Sequence, residues 1–167
     1  MAQGGGCLCK CFLAMVAAAI LALVVVLVIQ YENPTPPRYY ASIPSISPIN
    51  SEINVILGVE RRSLWGWACL ERGTDVAVAY QGLPLAFAAT GGEVCAPWWK
   101  LWSVQRTIVV ARTLPIVGTL IADTLRGAQV FEVAFLIQSE APQDGKLVTC
   151  VVKPFLDKGD TACDVQS

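Results

Sequence analysis

From Phe12 to Ile29 the chain reads Phe-Leu-Ala-Met-Val-Ala-Ala-Ala-Ile-Leu-Ala-Leu-Val-Val-Val-Leu-Val-Ile, with no polar position to give a helix a wet face. At about 1.5 Å per residue such a helix is roughly 27 Å long, close to the roughly 30 Å of bilayer hydrocarbon. A buried core helix would carry polar side chains at a period of about 3.6, and none is present. A cleaved signal peptide has a shorter apolar region ending at a small-x-small site, which Gln30-Tyr31-Glu32-Asn33-Pro34 does not offer. The pattern predicts a retained transmembrane helix over 12–29, after a glycine-rich leader at 1–11 with no capacity to fold. Tyr31 then falls at the level of the interfacial aromatic belt.

After this helix the period changes. Pro34, Pro36, Pro37, Pro44 and Pro48 remove backbone donors and fix φ, which predicts a stiff stalk over 30–49. Tyr39 and Tyr40 within it read either as an early edge strand or as a contact to the domain beyond. A single domain is expected over 50–167, with a first strand at Ile53 to Val59. Asp75 to Tyr80 alternates cleanly, Val76, Val78 and Tyr80 to one face and Ala77 and Ala79 to the other. Gln81-Gly82-Leu83-Pro84 turns the chain, and Leu85 to Ala88 returns as its partner. From Ser103 to Ala111 the residues Trp102, Val104, Arg106, Ile108 and Val110 share one parity, which predicts that this set faces the core at the later end of the strand.

One helix is expected after the anchor, Ile116 to Arg126. Ile116, Leu120, Ile121 and Leu125 form an apolar stripe, Pro115 suits the first turn, and Gly127 suits the left-handed cap. Strands follow at Gln129 to Ile137, Lys146 to Val152 and Ala162 to Gln166. The fold class is mainly β (α+β): short strands in an antiparallel sandwich with one helix, behind a single transmembrane helix.

Charge gives the orientation. Lys10 and the α-amino group precede the apolar helix, and the positive-inside bias then predicts a cytoplasmic amino terminus and an extracytoplasmic carboxyl-terminal domain. From Gln30 onward the twelve basic residues less Lys10 leave eleven, against thirteen acidic, a formal charge of −2. No basic field exists to attract nucleic acid, so that partner is excluded.

The seven cysteines fall into two groups. Cys7, Cys9 and Cys11 abut the apolar helix beside Lys10, the setting of juxtamembrane S-acylation. Unmodified thiols and a soft-metal site compete with that reading, although alternating thiolates in a Gly-Gly-Gly leader make a poor tetrahedron. Cys69, Cys95, Cys150 and Cys163 are an even set in a compartment expected to oxidise, and two disulfides follow. Loop closure does not choose among the three pairings. Proximity in sequence favours Cys69 with Cys95 and Cys150 with Cys163. No two of these cysteines have Cys-x-x-Cys spacing, which speaks against zinc.

No histidine occurs in the chain, which excludes Ser-His-Asp and Cys-His mechanisms and histidine-ligated metals. Nucleophile elbow, phosphate loop and dinucleotide fingerprint are absent too, and no cofactor is expected. Asp157, Asp160 and Asp164 lack the every-second-residue spacing of a calcium loop and read as a solvated turn. Trp65, Trp67, Trp98, Trp99 and Trp102 flank Cys69 and Cys95. Core or partly exposed packing is the preferred reading of these rings, and a binding loop carrying Trp98, Trp99 and Trp102 is the other.

The order of these features resembles a known family. A cysteine-rich leader, one span, Arg38-Tyr39-Tyr40-Ala41-Ser42-Ile43 and Asp75-Val76-Ala77-Val78-Ala79-Tyr80-Gln81-Gly82-Leu83-Pro84-Leu85-Ala86 are similar to the plant harpin-induced and non-race-specific disease-resistance-like membrane proteins, which carry a late-embryogenesis-abundant group 2 domain. Gly127-Ala128-Gln129-Val130-Phe131-Glu132-Val133 adds to the likeness, which covers about residues 7 to 165. The resemblance implies a fibronectin-III-like antiparallel sandwich with one helix, a plasma-membrane location, a part in stress and pathogen (defence) responses and no catalytic centre. The Asn-Pro-Asn segment of many members is replaced here by Glu60-Arg61-Arg62-Ser63-Leu64-Trp65-Gly66-Trp67, and Asn33-Pro34-Thr35 is no glycosylation sequon because proline holds its middle position.

The leading expectation is a single-pass, noncatalytic module bound to the lipid bilayer, presenting loops such as Ala96 to Trp102 to another membrane protein, a cell-wall component or itself. The alternative is an anchored or secreted hydrolase using two carboxylates drawn from Glu71, Glu93 and the aspartates at 157–164.

Overall fold

A computed structural model of the chain describes residues 5–47, 51–66, 68–113, 130–137, 145–154 and 161–166, with side chains from Phe12 onward. The predicted helix at Ile116 to Arg126 lies outside these residues.

Helix α1 runs over Gly5–Glu32. It starts seven residues ahead of Phe12, so the leader from Gly5 on continues the helix instead of lacking structure. Nothing in Cys-Leu-Cys-Lys-Cys breaks a helix, and once the apolar run is helical each added residue needs only one further bond. The helix ends where Asn33 donates to the Ile29 carbonyl at 3.0 Å and Pro34 follows. Phe12–Glu32 is long and apolar enough to cross a membrane, with a mean hydropathy of 3.3 over an eighteen-residue window, and no residue of that window is buried against the rest of the chain. That exposure removes the core-helix reading.

The strands are β1 (Arg38–Ser47), β2 (Glu52–Glu60), β3 (Cys69–Leu70), β4 (Asp75–Tyr80), β5 (Leu83–Ala89), β6 (Val94–Cys95), β7 (Val104–Thr113), β8 (Phe131–Ile137), β9 (Lys146–Val152), β10 (Thr161–Ala162) and β11 (Asp164–Gln166). Nine form one antiparallel sheet in the order β10-β1-β2-β7-β5-β4-β8-β9-β11, and β3 with β6 forms a small second ladder. β4 and β5 are joined by Gln81 at φ 51° and Gly82 at φ 78°, the two left-handed positions of a type I′ turn whose twist matches that of the strands.

The stalk boundary needs correction. Residues 38–47 of the predicted 30–49 stalk are strand β1, bonded along β2 from Arg38↔Glu60 to Ser47↔Glu52, with Tyr39, Ala41, Ile43 and Ile46 buried. The β module therefore starts at Arg38, not at residue 50, and only residues 33–37 separate it from α1. Pro44 is accommodated because the β1–β2 register shifts between Ser42 and Ser45, so the proline stands in the irregularity and breaks no ladder bond. β1 is flanked on its other side by two-residue β10, which is how a proline-bearing strand avoids a central place.

The face of β7 also differs from expectation. Val109 and Ala111 are buried, whereas Ile108 and Val110 are 68% and 47% exposed. Both parities of this strand are apolar, so its own pattern cannot orient it. Its partner does: Val109 pairs with Val55 and Ala111 with Ile53, both fully buried residues of β2.

The sheet nearly closes on itself through Cys163. β10 pairs with β1 at one edge, β11 pairs with β9 at the other, and Cys163 alone stands between β10 and β11. Its N–H donates to the Tyr39 carbonyl of β1 at 2.9 Å, while its sulfur is bonded to Cys150 of β9. One residue thus joins both edges and leaves little unpaired edge. Replacing Cys150 and Cys163 together by alanine is expected to lower unfolding stability by about 3 kcal/mol, as for other loops of this size. Urea unfolding without reductant measures it, and amide exchange in β10 and β11 should rise well before exchange in β2.

Candidate functional site

Register sets Arg38, Glu60 and Val104 side by side across β1, β2 and β7. The segments 33–37, 61–66 and 96–103 therefore leave the sheet from one end, the end at which α1 joins the module. Here Gly58 is buried against Tyr40 and Val104, and an added Cβ would sit 2.9 Å from Val104 Cγ1. The Tyr40 hydroxyl donates to Glu60 Oε2. Burial first, and then the Glu60 carboxylate, push the Tyr40 phenol up. Tyr39, whose ring crosses the interior, is pushed up to about 12 by burial, so it stays uncharged in the core.

Arg61 organises the two loops. Its Nε donates to the Ala96 carbonyl at 3.1 Å, its Nη1 to the Leu64 carbonyl at 3.4 Å, and its own carbonyl accepts from Trp102 N–H at 3.0 Å. Ala96 N–H donates to Ala68 O at 2.8 Å, extending the β3–β6 ladder in which Cys69 faces Cys95. Those two cysteines are bonded to each other. Glu93 Oε1 is 3.1 Å from Cys95 Sγ, and the three groups are close enough for a metal site. With both sulfurs in a disulfide no thiolate is available to ligate, and the sulfur has no proton to donate, so the Glu93 approach is a contact only.

The predicted binding loop is brought to this end. Lys100 N–H donates to Pro97 O and Ser103 Oγ to Lys100 O, closing a turn with Trp98 and Trp99 at its tip, edge to face with centroids 5.7 Å apart. Trp98, Trp99 and Trp102 are 64%, 66% and 60% exposed and Trp65 is 45% exposed. Of the preferred reading, core or partly exposed packing, the core half is corrected for these four and the partly exposed half stands beside the binding-loop reading; Trp67 lies outside the described residues. The core takes Val, Ile, Leu and two Phe from the strands, whereas these tryptophans fall in connections past the strand ends. Trp102 has φ 67°, a conformation that costs a bulky residue about 1–3 kcal/mol. Its N–H bond to Arg61 and the Arg62 guanidinium 5.1 Å from its ring centre hold it there.

Sequence reasoning missed one contact: the Tyr31 ring, in the last turn of α1, meets Trp65 edge-on at 5.5 Å. The two residues stand thirty-four positions apart in the chain, and nothing local to either announces the contact.

The carboxylates of the hydrolase reading do not form one group among the described residues. Glu71 and Glu93 are exposed beside the β3–β6 ladder, Asp164 is exposed on β11 of the large sheet, and Asp157 and Asp160 lie outside the described residues. Cys7, Cys9 and Cys11 fall on the first turns of α1, immediately before the apolar run. No protein-family model matches the chain, and neither does any curated protein or solved structure compared with it.

Proposed function

We propose that the protein is a single-pass, noncatalytic membrane protein whose extracytoplasmic β module is a binding unit, with its amino terminus in the cytoplasm and Cys7, Cys9 and Cys11 as acylation sites. The observation that carries this is an apolar helix with no burial in the fold, running within five residues into a disulfide-braced module. Disulfides at both the small ladder and the seam suit an oxidising compartment. The lack of histidine and the solvent-open carboxylates support a noncatalytic role. The resemblance to harpin-induced and disease-resistance-like proteins with a late-embryogenesis-abundant group 2, fibronectin-III-like domain extends the proposal to the plasma membrane and to stress or defence responses, with other membrane or cell-wall components as partners.

Topology is the first test. Gly91 and Gly92 form an exposed turn with open space around them, so Gly91→Asn with Glu93→Thr installs a glycosylation acceptor without disturbing packing. In a microsomal system the variant is expected to be glycosylated and to resist alkaline extraction. An unmodified, extractable product overturns the proposal. Proximity labelling on the intact anchored protein then identifies partners.

A further inference from the structure

The helix that can span a membrane contains no tryptophan, while the described tryptophans gather at the end of the β module from which that helix departs. We propose that the loops 61–66 and 96–103 lie in the headgroup layer of the same membrane, with Trp65, Trp98, Trp99 and Trp102 at the acyl boundary, so that the module is seated on the bilayer. This rests on the spanning reading of residues 12–32.

Depth is the first argument. Phe12–Glu32 has 21 residues, about 31 Å of helix against roughly 30 Å of hydrocarbon. Tyr31, one residue from its end, stands at the interface, and Trp65 touches it. Reach is the second. Five residues, 33–37, join α1 to β1 and extend at most about 18 Å. Pro34, Pro36 and Pro37 within them restrict the directions the link can take. The near end of the module cannot stand far from the headgroups, and a soluble partner would have to enter a gap no wider than this link.

Chemistry is the third. Tryptophan combines a large apolar ring with one N–H donor, the side chain enriched where hydrocarbon meets water. Arg38, Arg61, Arg62 and Lys100 occupy the same end and complement phosphate oxygens, while the nearby Glu60 is buried and hydrogen-bonded by Tyr40. In water these exposed rings have no compensation; in the headgroup layer they do.

The test uses the full-length protein in phosphatidylcholine vesicles whose acyl chains carry bromine at shallow or deep positions. All five tryptophans lie outside the span, so the emission reports on the module alone. We expect blue-shifted emission, strong quenching by shallow bromine and weak quenching by deep bromine. Trp98→Phe with Trp99→Phe should remove a large part of the quenched component, with disulfide mapping and circular dichroism unchanged. Emission that ignores brominated lipid but is quenched by aqueous acrylamide overturns the inference. Emission insensitive to both does so too, because the rings would then be covered by a second copy or another partner. Alkaline washing separates the two levels: protein that elutes defeats the spanning reading itself, whereas protein that stays with unquenched tryptophans defeats the seating alone.

Discussion

Leu21→Arg combined with Val25→Arg is expected to abolish membrane insertion. Twelve strongly apolar side chains (Phe, Leu, Ile and Val) occupy 12–29, and at about 0.3–0.6 kcal/mol each they favour insertion by about 4–7 kcal/mol. Two central arginines oppose it by about 5–7 kcal/mol, enough to cancel the whole. Neither site is buried against the β module, at 67% and 49% exposed, so no interior contact rescues the helix. In the glycosylation assay the double variant should lose modification and extract at alkaline pH, while Leu21→Met should behave as the parent. Continued translocation and anchoring of the double variant would mean that another part of the chain holds the membrane. Glycosylation is the deciding readout, since acyl chains on Cys7, Cys9 and Cys11 would hold protein to lipid without carrying an acceptor into the glycosylating compartment.

Phe135→Ala should cost about 3–5 kcal/mol, a large share of the roughly 5–15 kcal/mol available to a domain. Phe135 is 1% exposed on β8 between Val76 of β4 and Val148 of β9, and its ring reaches across the interior to Tyr39 of β1, centroids 5.9 Å apart. Truncation therefore empties space between opposite walls of the nearly closed sheet. Phe87 gives the comparison: on neighbouring β5 it is 53% exposed, and Phe87→Ala should move stability by no more than about 0.5 kcal/mol. Urea unfolding of both variants with disulfides intact decides the matter. Equal effects would mean that the two faces of the sheet have been assigned wrongly, or that something covers the outer one.

The contrast between those phenylalanines was only partly legible in the chain. Asp75 to Tyr80 pairs branched with small residues so strictly that its inward face can be read directly, and Val76 and Val78 are indeed buried. The turn after it was legible in place but not in length: Gln81-Gly82-Leu83-Pro84 marks it in the chain, whereas Leu83 and Pro84 already pair with Tyr80 and Ala79, leaving Gln81 and Gly82 alone at left-handed φ. β7 is the opposite case: Ile108 and Val110 are as apolar as Val109 and Ala111, and the pairing with β2 chose between them. β1 was obscured by proline, whose veto on ladder bonds holds only where a bond is required; at the Ser42–Ser45 irregularity none is. The tryptophan loops were visible as composition but not as a place, since their position depends on Arg61 bonding to Ala96, thirty-five residues away.

Local physics along the chain suffices for a helix long and apolar enough to span a bilayer, strands where side chains alternate, a turn after Tyr80, and the exclusion of histidine chemistry. Tertiary structure alone decided that β1 belongs to the module, which face of β7 is inward, that Cys163 joins the two sheet edges, and that the tryptophans stand beside the end of α1. Hydropathy and turn geometry act between neighbours along the chain, whereas register, closure and exposure arise from pairings between segments far apart in it. An apolar residue carries no mark of which such partner will cover it.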